Sequence, residues 1–254
     1  MERALQNMEH VPERQRLVRK LESITDLTEE ERQALMDLPV ILREFDAGHD
    51  IVRSGDHPQS CCLILTGFVC RYMLLPDGRR QIVAFHPPGD IPDLQSLHLK
   101  TMDHSVAAMA RTTTAFIPHE NLQRMTQRFP GLLHAFWRET LIDASVFRAW
   151  MVALGRRTAH ERVAHLLCEM TLRFAAVGLA EGMTYQMPVT QNDIADALGL
   201  SNVHVNRVLQ DLRRDELIVW RRNTITVLQW GALKDLAAFD PTYLHIRNLP
   251  GLLQ

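Results

Sequence analysis

Hydrophobic and polar positions follow two different spacings, and the change between them falls near Pro118. From Val40 to Pro118, short apolar runs are separated by glycines at steps of 7, 12, 11 and 11 residues, namely Gly48, Gly55, Gly67, Gly78 and Gly89. Turn signals at this spacing are typical of a compact antiparallel sheet or barrel. Beyond Pro118 the apolar positions recur at helical intervals. The pattern therefore predicts a β-rich region followed by a helical one.

Within the β-rich region, Asp77-Gly78 lies between two apolar runs at 72–75 and 81–85 and predicts a hairpin. Residues 89–104 do not continue the pattern of short apolar runs, and their first residues predict a helical turn. A last strand is expected from Val106 to Ile117.

The chain before the β-rich region carries one clear helix signal. Thr28 and Glu31 have the spacing of a capping box, and the helix that they begin is expected to end before Pro39. The preceding residues are charged and rich in Arg and Gln, which favours a mobile arm or a short leading helix over residues 1–24.

A long helix is predicted from Pro130-Gly131 to about Leu154, with Gly155 ending it. Its apolar positions follow one another at steps of 4, 3, 4, 3, 4 and 3, which is the a/d spacing of a coiled coil: Leu133, Trp137, Thr140, Ala144, Phe147, Met151 and Leu154. The unbroken repeat favours a helix that pairs with a second copy of itself, and an ordinary buried helix face is the alternative. A further helix follows from about Arg156, and residues 178–188 are expected to be a loop and linker.

Residues 188–218 contain the pattern with the clearest functional meaning. Thr190 and Ser201 are N-cap candidates for two short helices, and Gly199 supplies the turn between them. Both capping residues are also candidate DNA-binding residues, because the N-terminus of a helix favours a phosphate. In the second helix the apolar residues share one face, which leaves a polar face that consists of Asn202, Val203, His204, Asn206, Arg207 and Gln210. Such a face suits the major groove of DNA, because arginine bonds guanine and asparagine or glutamine bonds adenine through two hydrogen bonds. The pattern predicts a helix-turn-helix that reads DNA, and a helical hairpin used only for packing is the alternative.

Two β-like runs follow the second helix and enclose a basic turn with Arg221 and Arg222. This arrangement predicts a wing whose arginines contact phosphates, which position a protein on DNA without specifying sequence. Paired arginines at a hairpin tip are often only solvated. The interpretation of this hairpin as a DNA-contacting wing therefore depends on the neighbouring helix-turn-helix.

Composition neither supports nor opposes this interpretation. The chain has 254 residues, 46% hydrophobic and 23% charged, which is normal for a globular protein of one or two domains. With 28 Lys and Arg against 30 Asp and Glu, the net charge is −2, so DNA binding has to rest on a local motif. The longest apolar stretch is too short to span a membrane, and the N-terminus has no secretory signal, so we expect a cytoplasmic protein with no membrane partner.

A glycine-punctuated roll, a coiled-coil helix and a winged helix-turn-helix, in this order, resemble the Crp/Fnr superfamily of bacterial transcription regulators. The resemblance covers about residues 25–230 and is strongest at the spaced glycines, at Gly89-Asp90 and at Thr190–Ile218. It implies an α+β fold with an N-terminal antiparallel β-roll, which is a cupin-like double sheet. The domains would be an arm at 1–24, the roll at 25–130, the dimerisation helix at 131–155, and a winged helix-turn-helix with a C-terminal tail at 156–254.

The resemblance also implies a homodimer that binds double-stranded DNA at a near-palindromic operator, with RNA polymerase as a further partner. Arg207 matches the guanine-reading arginine of the family. Val203 falls where many members carry a glutamate, and valine contacts a thymine methyl but cannot accept a hydrogen bond from cytosine. The half-site is therefore expected to differ from the familiar ones.

The roll departs from the cyclic-nucleotide branch of this family. The Gly-Glu and Arg-Ser pairs of the phosphate clamp read Pro92-Asp93 and His104-Ser105 here, and proline lacks the N–H that a phosphate would use. A candidate effector pocket would consist of Asp93, Leu94, His104 and Ser105. We expect neither cyclic AMP nor cyclic GMP to bind, and we predict no cofactor and no metal.

A roll that binds no ligand at all, with the protein controlled by its own abundance as in some members of the family, is a candidate, and other signals are the alternatives. Residues 1–60 contain no cysteine, so the N-terminal iron–sulfur cluster of the oxygen-sensing branch is not expected. The cysteines at 61, 62, 70 and 168 are interpreted as small buried residues, with Cys62 and Cys70 facing one another across a Thr66-Gly67 hairpin, and a redox-sensitive thiol is the alternative. A haem or metal ligand among His86, His98 and His104, or an unidentified small molecule, also stays open.

An enzyme or a small-ligand carrier is the hypothesis from outside this class. The sequence has no phosphate-binding P-loop, no G-x-S-x-G nucleophile motif and no H-E-x-x-H metalloprotease motif. We therefore predict that the protein is not an enzyme.

Overall fold

The structure is a computed structural model that describes residues 11–247, with the side chains of residues 11 and 12 excepted. These residues form two compact units. The N-terminal unit consists of the described residues up to Arg71 together with Phe85–Leu141, and the C-terminal unit consists of Tyr72–Ala84 and the described residues from Ile142 onward. The sequence-based division has boundaries after residues 24, 130 and 155 and places the hairpin at 72–84 in the roll, whereas the two units are divided at 71/72, 84/85 and 141/142.

Two helices precede the sheets, α1 (Val11–Glu22) and α2 (Glu29–Met36). Part of the segment interpreted as an arm is therefore the leading helix α1, which buries Leu17 and Leu21. Lys20 fixes its last turn through ion pairs with Asp90 at 3.1 Å and with Glu139 at 3.2 Å. Residues 1–10 of the expected arm lie outside the described residues.

The capping box predicted at the start of α2 is present. Thr28 Oγ1 accepts a hydrogen bond from the Glu31 N–H at 3.2 Å, and the Glu31 carboxylate accepts one from the Thr28 N–H at 2.9 Å. The helix ends at Met36, before Pro39, as expected.

Seven strands form the predicted antiparallel double-sheet roll: β1 (Ile41–Phe45), β2 (Asp50–Val52), β3 (Ser60–Thr66), β4 (Val69–Leu74), β5 (Arg80–His86), β6 (Ser105–Ala108) and β7 (Thr112–Pro118). One sheet has the order β1-β7-β3 and the other has the order β2-β6-β4-β5. The pairings of β7 with β1 and β3, and of β2 with β6, are antiparallel. The predicted Asp77-Gly78 hairpin lies between β4 and β5.

Two expectations about the roll were wrong for one physical reason. The single strand expected at 106–117 is two strands, β6 and β7, which lie in different sheets. Thr66-Gly67 likewise leads from β3 into β4 of the other sheet, so Cys62 and Cys70 do not face one another across a hairpin. A Cβ on Gly67 would lie 2.3 Å from the Thr112 hydroxyl, and the φ of Gly67 is +86°, so this turn requires glycine. The strands of the two sheets have similar patterns of apolar residues, and the sequence pattern therefore does not show where the chain passes from one sheet to the other.

Helical elements follow: a 3-10 helix at Leu94–Leu97 between β5 and β6, then α3 (His119–Arg128), α4 (Pro130–Arg156) and α5 (Ala159–Ala176). The long helix α4 does not end at Gly155, because a glycine with open space around it is tolerated in the last turn. A capping box of Thr158 and Glu161 begins α5. Among the described residues, no helix is both long enough and apolar enough to cross a membrane.

The C-terminal unit continues with β8 (Ala180–Glu181), β9 (Thr184–Gln186), α6 (Gln191–Leu198), α7 (Asn202–Arg214), β10 (Ile218–Arg221), β11 (Thr224–Val227), α8 (Trp230–Leu236) and a 3-10 helix at Pro241–Leu244. Its sheet has the order β10-β11-β9-β8. The loop expected at 178–188 is therefore wrong in part, because it contains two strands that extend the wing. Their short runs carried too little periodicity to be recognised.

Candidate nucleic-acid interface

The first helix of the predicted helix-turn-helix, α6, begins at a complete capping box. Thr190 Oγ1 accepts a hydrogen bond from the Asp193 N–H at 3.2 Å, and Asp193 Oδ2 accepts from the Thr190 N–H at 2.8 Å. Ile194, Ala195 and Leu198 are buried, as the apolar spacing predicted. The helix is fixed at its start by local hydrogen bonds and along its length by its apolar face.

The turn between the helices follows from one glycine and one serine. Gly199 has φ +61° and ψ +40°, the left-handed conformation that ends α6. Ser201 Oγ then accepts a hydrogen bond from the His204 N–H at 3.3 Å and caps α7. The turn is short, which places the two helices in direct contact.

The second helix, α7, has two chemically different faces. Its inner face is fully apolar and buried, and consists of Val205, Val208, Leu209 and Leu212. The predicted outer residues are all exposed: Asn202, Val203, His204, Asn206, Arg207 and Gln210. Val203, an apolar residue, is 69% exposed, which no packing role explains. This helix of 13 residues thus buries its apolar face in the fold and presents its other face to solvent.

The hydrogen bonds of the outer face leave its arginine uncommitted. Asn206 Nδ2 donates to Gln191 Oε1 on α6 at 3.2 Å, which joins the exposed face of α7 to the start of α6. Arg214, in the last turn, pairs with Asp211 at 2.7 Å and with Asp215 at 3.1 Å. Across residues 11–247, no carboxylate pairs with Arg207, so its guanidinium keeps all its donors for a partner.

The wing is present as predicted. Strands β10 and β11 pair in antiparallel register, with Arg221 opposite Thr224, so Arg222 and Asn223 form a two-residue loop. Arg221 and Arg222 are exposed, and the Trp220 indole N–H holds the loop by donating to the Arg222 carbonyl at 3.0 Å. The two guanidinium groups therefore project from an ordered tip into solvent.

The predicted coiled-coil residues of α4 lie mainly on a solvent-exposed face. Leu133, Trp137, Thr140 and Met151 are exposed, and Ala144, Phe147 and Leu154 are half-buried. The opposite face is buried within its own chain, by residues such as Leu132, Phe136, Ile142, Val146 and Trp150. The apolar seam is therefore available to a second copy.

The residues of the candidate effector pocket are engaged with their own chain. Asp93 is fully buried and its Oδ1 accepts a hydrogen bond from the Cys62 N–H at 2.7 Å. Leu94 is buried at the start of the 3-10 helix. His104 contacts Gln95 and Asp103, and Ser105 Oγ accepts from the Ser54 N–H at 3.0 Å.

Burial also governs the ionisable groups of the roll. Loss of solvation raises the pKa of Asp93 to about 6, although the Cys62 N–H opposes that shift. All four cysteines are buried, and each keeps its thiol outside a disulfide. Burial raises the pKa of the Cys61, Cys62 and Cys168 thiols, in the case of Cys168 to about 12.

The histidines proposed as haem or metal ligands contact different residues. His86 Nδ1 is 2.9 Å from Asp90, His98 is exposed, and His104 contacts Gln95 and Asp103. Over the part of the chain that the structure describes, no group of three His, Cys, Asp or Glu side chains is close enough to hold a metal ion.

One contact to the helix-turn-helix carried no sequence signal. Arg80 and Gln81, just after the Asp77-Gly78 turn, bond to α6 within the C-terminal unit. Their partners lie more than 100 residues away along the chain, and nothing in a short strand run points to them.

An exposed polar helix, held by a capped partner helix and flanked by a basic wing, defines a winged helix-turn-helix DNA-binding protein. Comparison with known proteins agrees, since residues 161–236 match the model of the Crp-like helix-turn-helix domain and residues 42–129 match the cyclic nucleotide-binding domain. The chain belongs to the Crp/Fnr family of transcription regulators, and it is a regulator rather than an enzyme.

Two curated relatives and one solved structure show the extent of the likeness. The transcriptional activator protein FnrL of Cereibacter sphaeroides is 30% identical over 202 residues, 78% of this chain and 81% of the relative. The nitrogen fixation regulation protein FixK of Rhizobium meliloti is 31% identical over 206 residues, 80% of this chain and 90% of the relative. The structure of FixK2 from Bradyrhizobium japonicum covers 78% of this chain and 98% of its own, with a TM-score of 0.71 and 28% identity.

Proposed function

We propose that two copies of this regulator pair through α4 and bind a near-palindromic operator, with one α7 helix in each of two major grooves. The observation that carries the proposal is the division of α7 into a buried apolar face and an exposed face. Arg207 lies on the exposed face. A twofold dimer requires a site with matching symmetry, and its half-sites lie about one helical turn apart, 10–10.5 base pairs.

The dimer is supported by the exposed seam of α4. Trp137 is 65% exposed and Met151 is 72% exposed, on a helix of 27 residues whose opposite face is already used. Large apolar side chains at a/d spacing are the signature of helices that pair. A second copy of α4 would bury both residues at once.

The assignment of bases follows from the side chains. Arg207 bonds O6 and N7 of a guanine, Val203 contacts a thymine methyl, and Asn202, His204, Asn206 and Gln210 line the same groove. Thr190, Ser201, Arg221 and Arg222 contact phosphates and set the position of the protein on the duplex. The half-site therefore contains a guanine read by Arg207 and departs from family sites at the base pair that faces Val203.

The roll residues do not fit a cyclic nucleotide. A phosphate needs backbone N–H groups and an arginine fork, whereas here the carboxylate of Asp93 is buried against the Cys62 N–H and Pro92 has no N–H to give. Arg71 is buried and its Nε donates to the Pro92 carbonyl at 2.6 Å. We therefore propose no cyclic-nucleotide control.

An iron–sulfur cluster and a metal are not proposed either. All four cysteines are buried in the fold, and residues 1–60 contain none. We propose that the amount of the protein in the cell controls its activity. On the operator, the bound regulator contacts RNA polymerase. The names of FnrL and other relatives, which are transcriptional activators, favour activation over repression.

Selection of DNA from a random pool tests the proposal. The purified, ligand-free protein should enrich a near-palindrome with two guanine-containing half-sites, and the complex should contain two protein chains per duplex. Enrichment of single half-sites by a monomer would contradict the dimer. Enrichment only after a haem, a small metabolite mixture or an oxidant is added would favour regulation by an effector.

A further inference from the structure

A hairpin outside the helix-turn-helix is bonded to its first helix. Arg80 Nη2 lies 2.5 Å from Asp193 Oδ1, and Arg80 Nε lies 2.9 Å from Asp196 Oδ2. The two aspartates are three residues apart on α6, so their carboxylates point from the same face of the helix. One planar guanidinium spans both, in a geometry that lysine could not reproduce.

The same hairpin also reaches the other end of α6. Gln81 Nε2 donates a hydrogen bond to the Ala197 carbonyl at 3.2 Å, in the last turn. Helix ends leave carbonyl groups without a partner inside the helix, and this bond satisfies one of them. Arg80 and Gln81, adjacent in β5, therefore hold α6 at its first and last turns.

Asp193 has two roles in this contact. Its Oδ2 accepts hydrogen bonds from the Thr190 N–H at 2.8 Å and the Thr190 hydroxyl at 2.7 Å, while its Oδ1 meets Arg80. The arginine thus fixes the carboxylate that caps the helix. The side chains of Arg80, Asp193 and Asp196 are 32%, 14% and 34% exposed, so the contact is partly shielded from water.

The position of α6 determines the position of α7. The Leu200 N–H donates to the Ala195 carbonyl at 3.1 Å across the turn, and Asn206 bonds Gln191 at 3.2 Å. The apolar faces of both helices are buried together. A group that fixes α6 therefore also fixes the exposed face that carries Arg207.

We propose that Arg80 is a positioning residue for DNA binding, which holds the helix-turn-helix in its binding orientation by bridging Asp193 and Asp196. This rests on the DNA-binding function proposed above. Arg80 does not touch DNA. The strand that carries Arg80, β5, continues from Ala84 into Phe85 of the N-terminal unit.

Substitution of Arg80 in the full-length protein tests the proposal. Anisotropy titrations with the selected operator compare wild type, Arg80→Ala, Arg80→Glu, Asp196→Arg and the double variant Arg80→Glu with Asp196→Arg. The matched control is Arg79→Ala, because Arg79 is an exposed neighbour whose guanidinium pairs with Asp77 at the hairpin tip. Thermal unfolding of every variant separates loss of folding from loss of positioning.

Arg80→Ala should weaken specific binding about 3- to 10-fold, since a partly exposed charge pair with good geometry makes a modest contribution. Arg80→Glu should weaken it further, because three carboxylates then meet, and Asp196→Arg should restore it to within about 3-fold of wild type. The slope of log K against log salt should stay at its wild-type value in Arg80→Ala. A direct phosphate contact would instead reduce that slope by about 1.

Four results would overturn the proposal: wild-type affinity in Arg80→Ala, tighter binding in that variant, a reduced salt slope, or no rescue of Arg80→Glu by Asp196→Arg. If Arg80→Glu fails to fold, the Arg80→Ala titration and its salt slope decide alone. If wild type binds no DNA, the proposed function has failed. Hydrogen exchange of the amides at 191–198 then tests the Arg80 bridge to Asp193 and Asp196 separately, since exchange should be faster in Arg80→Ala and unchanged in Arg79→Ala.

Discussion

The hydroxyl of Tyr243 donates a hydrogen bond of 2.8 Å to the buried carboxylate of Glu169. The Trp150 indole N–H reaches the same oxygen at 2.9 Å, and Arg173 reaches the other oxygen at 3.1 Å. Glu169 thus joins α4, α5 and the C-terminal 3-10 helix. Burial, followed by the nearby Glu169 charge, raises the pKa of Tyr243 well above its ordinary value, so this hydroxyl stays protonated and donating.

Tyr243→Phe should lower the free energy of unfolding by about 1.5–3 kcal/mol, because a buried charged acceptor loses a donor. Tyr185→Phe is the matched comparison: its hydroxyl donates to the neutral Leu167 carbonyl at 3.2 Å, and its loss should be about 0.5–1.5 kcal/mol. Urea denaturation measures both. Equal losses, or none for Tyr243→Phe, would show that the C-terminal segment is not anchored through Glu169.

Met151→Asp should convert the proposed dimer into a monomer, since it places a charge in the exposed apolar seam of α4. Because Met151 is 72% exposed in the single chain, the fold of each copy should be retained. Sedimentation velocity measures the mass. The control is Leu228→Asp, which introduces the same charge at a residue that is 51% exposed just after wing strand β11, and which should leave a dimer. A Met151→Asp dimer would mean that copies pair elsewhere.

Asp93→Asn should stabilise the protein at neutral pH and much less at acidic pH. Burial raises the pKa of Asp93 from 3.8 to about 6, so between about pH 4 and pH 6 the unfolded chain loses its proton first and the folded state loses stability as pH rises. Asparagine retains the acceptor for the Cys62 N–H and has no charge to bury. The stability difference between variant and wild type should grow by about 1–3 kcal/mol from pH 4 to pH 7.

Urea denaturation across that pH range gives the difference directly. Asp103→Asn is the control, because that carboxylate is on the surface beside His104 and its side chain is 82% exposed. A difference for Asp93→Asn that does not change with pH would mean that Asp93 is not buried as a carboxylate.

Alanine at both Arg221 and Arg222 should weaken binding to every DNA sequence by a similar factor. Phosphate contacts carry no sequence information, and each one lost should reduce the salt slope by about 1. Arg53→Ala removes an exposed arginine of the roll and should change neither quantity. If the wing variant lost affinity for the operator alone, its arginines would be reading bases.

The helix-turn-helix was predictable because its signals are local. Thr190 and Asp193 are three residues apart, Gly199 needs only its own φ, and the buried positions of α7 follow the helical period. The same is true of the capping box at Thr28 and of the Asp77-Gly78 hairpin.

What could not be predicted depends on contacts between distant segments. Arg80 and Asp193 are 113 residues apart, and no short pattern links a strand residue to a helix cap at that distance. The change of sheet between β6 and β7 was missed because both strands have buried apolar residues and the turn between them is short. The strands at 180–186 were missed because each is only two or three residues long and is ordered by pairing with the wing.

We propose that Arg207 reads a guanine in each half-site of the operator and that the ligand-free protein binds there as a dimer. Anisotropy titrations of wild type and Arg207→Ala on the selected operator and on unrelated DNA, at two salt concentrations, test this role of Arg207. Arg207→Ala should lose about 1–3 kcal/mol per half-site on the operator and keep its affinity for unrelated DNA. Equal losses on both DNAs would show that Arg207 does not read a guanine, and no operator-specific binding by the ligand-free wild type would show that the protein needs an effector to bind.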